Sequence, residues 1–139
     1  MKVLALTSEP LTAEALRTAL PGNLDPTQVE VMVVAPALHS SALRFWFSDA
    51  DEAIGRAEAV RRKSLDHLGA DGVAAAADVG EADPGDAVED ALQTFPAERI
   101  VVFVHPEGER RYREDLDEVQ LSRRFGIPVD RAEIAAGSD

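Results

Sequence analysis

The chain has 139 residues, a formal net charge of -12, an isoelectric point near 4.6 and no cysteine. That length fits one domain, able to bury about two-thirds of its unfolded surface. The missing cysteines exclude disulfides, thiolate metal sites and cysteine nucleophiles. So acidic a chain repels a phosphate backbone, so no nucleic-acid partner is expected.

Lys2 to Leu6 (KVLAL) is an apolar run of strand length, too short for a signal peptide. No stretch is long enough to span a membrane, so a cytoplasmic protein with no membrane partner is expected. Thr12 is placed to cap a helix in which Ala15, Leu16, Ala19 and Leu20 share a face, and PGN at 21–23 stops it. VEVMVVAPAL, 29–38, is nearly continuous Val, Met and Ala until Pro36, as in a strand buried on both faces. Asp49 to Leu68 predicts a long helix with Ile54, Ala57, Val60, Leu65 and Leu68 inward and Gly69 at its end. GVAAAADV, 72–79, predicts a weak strand, because alanine is a poor strand former.

The next helix is marked at its start by Asp83 as N-cap, Pro84 at the first helical position and Asp86 at the third. Val88, Ala91, Leu92 and Phe95 recur along one side of it. RIVVFV, 99–104, is the strongest strand signal. Arg110 to Arg124 predicts a charged helix with Tyr112, Leu116, Val119 and Phe125 inward, ended by Gly126 and Pro128. PVDRAEI offers a final strand. Strands alternating with connections of helical length predict one α/β domain over 1–134, a doubly wound five-stranded parallel sheet. Residues 135–139 are expected to be a frayed tail.

Ligands of such sheets bind beyond the carboxyl ends of the strands, at the point where the strand order reverses. Those ends place Thr7, Ser8, Ala35, Pro36 and the stretch His105 to Gly108 as candidate nucleotide or anion contacts. Arg110, Arg111 and Arg113 are candidate phosphate partners beside them. A structural turn at His105-Pro-Glu-Gly108, and pairing of the arginines with Glu114, Asp115 and Asp117, are the alternatives. Phe45, Trp46 and Phe47 stand in a row and cannot all be buried on one face. They are either loop anchors or an interface with a partner or a second copy. No histidines show metal-ligand spacing, no acidic pair has the context of a general acid and base, and no metal or catalytic residue is assigned. Walker A, G-x-G-x-x-G and G-x-S-x-G sequences are absent. A receiver domain would need an acidic pair after the first strand, where Thr7 and Ser8 stand, and a lysine in PVDRAEI, which has none; only Asp78 could mimic its phosphoryl acceptor.

Taken together, LALTSEPLTAEALRTAL, VEVMVVAP, VGEADPGDAVEDAL, AERIVVFVHPEG and RFGIPV resemble the universal stress protein family across about residues 2–130. The resemblance implies a flavodoxin-like sheet of the adenine-nucleotide hydrolase type, with strand order 3-2-1-4-5, usually dimeric through its fifth strand. Many members bind ATP through an Asp after the first strand, a Gly-x-x-Gly after the fourth, and a later Gly followed by Ser or Thr. Glycines let backbone N–H groups close on phosphate oxygens, and the hydroxyl adds a donor. By position, Thr7 stands in place of the Asp, His105 falls on the first glycine, Gly108 on the second, Glu118 on the third and Val119 on the hydroxyl residue. Asp130, Arg131 and Glu133 put charge on the strand that would pair in the usual dimer. The resulting expectation is a non-catalytic, stress-associated homodimer, or a protein acting through another protein, with ATP binding weak or lost. The alternatives are an ATP- or AMP-binding member using a variant loop at 105–113, and a slow nucleotide hydrolase.

Overall fold

The protein is described from a computed structural model, over residues 1–22, 24–37, 50–80, 83–105 and 118–134. Strands β1 (Lys2–Leu6), β2 (Glu30–Pro36), β3 (Ala74–Gly80), β4 (Arg99–Val104) and β5 (Val129–Glu133) form one sheet in the order β3-β2-β1-β4-β5. Every neighbouring pair is parallel. Helices α1 (Ala13–Ala19), α2 (Ala50–Ala70), α3 (Pro84–Thr94) and α4 (Glu118–Phe125) supply the layers, and a 3-10 turn at Pro26–Gln28 leads into β2. The expected fold and strand order are therefore present.

The alternation of side chains along the strands divides the core in two. Val3, Ala5, Val31, Val33, Val101 and Phe103 pack with Leu16 of α1 and Leu68 of α2 on one face. Leu4, Leu6, Val34, Ile100, Val102 and Val104 pack with Val88 of α3 and Leu121 of α4 on the other. Burying each of these larger side chains contributes about 1.5–3 kcal/mol. Central strands β1 and β4 face both layers, which is why their sequences read as unbroken apolar runs.

Local signals place the helix ends. Thr12 accepts from the Ala15 N–H, and Asp83 accepts from the N–H groups of Gly85 and Asp86 with Pro84 at the first helical position, as expected for both caps. Helix α2 differs at its end. It runs on through Gly69 to Ala70, and the turn is made by Gly72, whose φ of 76° is the left-handed conformation that glycine adopts freely.

Helix α2 buries three of the residues expected inward, Ala57, Val60 and Leu68, and differs at two positions. Its buried stripe is Ala53, Ala57, Val60, Ser64 and Leu68, whereas Ile54 is 49% exposed and Leu65 is only half-buried. Small residues let the helix lie close to Ala35, Ala37 and Val79 at the carboxyl ends of β2 and β3, so packing distance outweighs the hydrophobicity of Ile54. In α4, Leu121 is buried and Phe125 half-buried, but Val119 is 54% exposed; Tyr112 and Leu116 lie outside the described residues, as does the tail expected to fray. Gly80 closes β3 where a Cβ would lie 2.7 Å from the Ala87 Cβ of α3 and 3.0 Å from a Val34 methyl.

Candidate functional site

Strand order reverses between β1 and β4, so the carboxyl ends of these two strands border the crevice where such sheets hold ligands. At the end of β1 come Thr7, Ser8 and Glu9, all buried; at the end of β4 comes His105, 1% exposed. The register that sets Leu6 beside Val102 carries Glu9 level with His105. Their side chains meet: His105 Nε2 lies 2.6 Å from Glu9 Oε2. The contact is short and buried on both sides.

Thr7 is used locally. Its hydroxyl donates to the Glu9 carbonyl at 2.8 Å and accepts from the Glu9 N–H at 3.2 Å, while its own N–H extends the ladder to Val34. This turn fixes the backbone that aims Glu9 at His105. Two residues on, the Leu11 N–H donates to the hydroxyl of Ser64 at 2.9 Å, tying the loop after β1 to the middle of α2. Ser8 Oγ is buried with no hydrogen-bond partner among the described residues.

Of the expected contacts, Thr7, Ser8 and His105 are thus brought to one end of the sheet, with Ala35 and Pro36 buried at the end of the adjoining β2. Gly108, Arg110, Arg111 and Arg113 lie outside the described residues, as do Phe45, Trp46 and Phe47. Glu118, at the first residue of α4, has its carboxylate 3.8 Å from Arg131 Nε of β5. Asp130 of β5 pairs with Arg99 of β4, toward the opposite end of that strand. Glu9 was not among the expected site residues. The parallel pairing of β1 with β4 was the signal that could have found it, since the offset between the two strands sets it beside His105.

A doubly wound α/β domain with its polar groups gathered at the switch point is the class that fold and site define. The structure is similar to that of a universal stress protein family protein from Arabidopsis thaliana with AMP bound, at a TM-score of 0.60 and 12% sequence identity, over 97% of this chain and 92% of that one. That likeness is one of fold. No family model matches the chain, and neither does any curated protein. Among the described residues no helix is long and apolar enough to cross a membrane, and no group of His, Cys, Asp and Glu could hold a metal ion.

Proposed function

We propose that this is a non-catalytic protein of the universal stress protein kind, acting in the cytoplasm through self-association or a protein partner, with ATP binding weak or lost. The observation that carries the reading is the Glu9–His105 pair. A nucleotide entering beside the end of β1 must displace two buried side chains from each other, and its phosphates would approach a carboxylate. Thr7, which stands where the resemblance puts an acidic residue, has its hydroxyl engaged with the Glu9 backbone. Isothermal titration with ATP and with AMP at low salt tests this. No saturable heat is expected up to about 1 mM nucleotide, an affinity near -4 kcal/mol. Saturable binding well below that concentration overturns it.

A second reading is an ATP- or AMP-binding protein using a variant loop at 105–113, favoured by the AMP bound to the Arabidopsis protein of similar fold. On that reading Arg110→Ala, Arg111→Ala and Arg113→Ala each weaken the measured affinity. Phosphate release from ATP by the purified chain would point instead to a slow nucleotide hydrolase.

A further inference from the structure

Strand β3 is an outer strand, and its backbone is divided into two sets. The Gly80 carbonyl accepts from the Ala37 N–H at 3.3 Å, so Gly80, Asp78, Ala76 and Ala74 direct their backbone groups toward β2. Ala75, Ala77 and Val79 turn theirs outward, because the two sets alternate along a strand. Asp78 Oδ1 accepts from the Val79 N–H at 2.9 Å. Among the described residues nothing pairs with the outward N–H and C=O groups of Ala75 and Ala77.

Among its described residues this edge also lacks the proline and lysine that stop strands from pairing. In AAAADVG, Asp78 is the only charge. The other outer strand, β5, carries Asp130, Arg131 and Glu133 among its five residues.

We infer that the outer edge of β3 is a self-association surface, which pairs antiparallel with β3 of a second copy of this chain about a two-fold axis at Ala76. The inference rests on the self-association named under the proposed function and assigns its surface. The open groups are self-complementary. With Ala75 of one copy opposite Ala77 of the other, each N–H of these residues meets a C=O, and none is left over. Val79, whose N–H already has its carboxylate, falls just outside the paired stretch.

Charge selects this register over its neighbour. The chain carries -12, so association is opposed wherever carboxylates meet. About Ala76, each Asp78 stands opposite Ala74 of the other copy, and the two carboxylates are separated by about 13 Å along the strands. That exceeds the Debye length of about 8 Å at physiological salt. An axis at Ala77 would bring them to about 7 Å along the strands. Ala76 and Ala74 are exposed and small, so their methyl groups do not obstruct the approach. The two five-stranded sheets then become continuous.

Analytical ultracentrifugation of the full chain at physiological salt tests the inference. The parent is expected to be a dimer at micromolar concentration. Ala76→Glu sets two carboxylates opposite each other on the axis, beside both Asp78 side chains, and raises the dimer dissociation constant at least about tenfold, or about 1.4 kcal/mol. Ala77→Pro removes an outward N–H that the fold itself does not use, and is expected to be monomeric. Glu133→Pro, on the outward side of β5, leaves the dimer intact. Far-UV circular dichroism verifies the fold of each variant, and Ala76→Glu, at an exposed position, keeps the test alive if Ala77→Pro does not fold. A parent that stays monomeric at hundreds of micromolar overturns the inference, as does a dimer that survives Ala77→Pro. Loss of the dimer in Glu133→Pro places self-association on the other edge, leaving the proposed function intact but not this surface. A dimer that Ala76→Glu leaves unchanged rejects the register, since position 76 would then not face its own copy across the axis.

Discussion

Replacing His105 by leucine removes one member of a buried pair and leaves the other in place. Glu9 is 6% exposed and meets His105 Nε2 at 2.6 Å, so removing the imidazole takes a buried hydrogen-bond partner from its carboxylate. Breaking such a pair from one side costs about 3–5 kcal/mol. Leucine restores some apolar contact, which argues for the lower figure, about 3 kcal/mol of a total stability of roughly 5–15 kcal/mol. For a chain of this length that corresponds to a fall in Tm of roughly 10 °C. Glu9→Leu removes one hydrogen-bond partner of the imidazole, and is expected to cost only about 1–2 kcal/mol. The double variant replaces both polar groups by apolar ones and is expected to be no less stable than His105→Leu alone, a coupling of at least about 1 kcal/mol. Urea denaturation at neutral pH, followed by circular dichroism, gives all three values. The reasoning fails if His105→Leu lies within about 0.5 kcal/mol of the parent, or if the two single effects simply add.

Two further predictions concern what holds this end of the sheet. Ser64→Ala leaves the buried Leu11 N–H without its acceptor and should cost about 1–3 kcal/mol, with faster amide exchange at Leu11; unchanged exchange there would contradict the tie to α2. Gly80→Ala places a methyl 2.7 Å from the Ala87 Cβ, which has no rotamer in which to retreat. It should destabilise by about 1–3 kcal/mol in thermal unfolding, and an unchanged Tm would mean that α3 does not pack so closely on β3.

What the sequence shows most clearly is whatever is set by neighbours in the chain. The start of α3 could be read to the residue, because Asp83, Pro84 and Asp86 act on backbone groups within one turn. The order of strands and helices followed from hydrophobic period and from connection length. In α2 the inward Ala57, Val60 and Leu68 were legible too, but the smaller Ala53 and Ser64 are buried where Ile54 is left exposed and Leu65 half-buried. Likewise Leu121, not Val119, is the buried residue of α4. That His105, Thr7 and Ser8 lie at one end of the sheet was legible from the strand ends alone. Glu9 was not, because its partner is distant in sequence and is brought near only by the pairing of β1 with β4.

The central position of β1 has a consequence for biosynthesis. It is the first strand to be made and the third across the sheet, so one of its two edges stays open until β4 is translated. At roughly 5–20 residues per second, that wait lasts on the order of 5–20 seconds. During it Val3, Leu4, Ala5 and Leu6, among the most deeply buried residues of the finished protein, lie next to an unsatisfied strand edge. Helix α1 and strand β2 can shelter one side in the meantime. Closure of the sheet is therefore a late event, made by pairing across most of the chain, and the nascent chain is most open to chaperones and to aggregation before it.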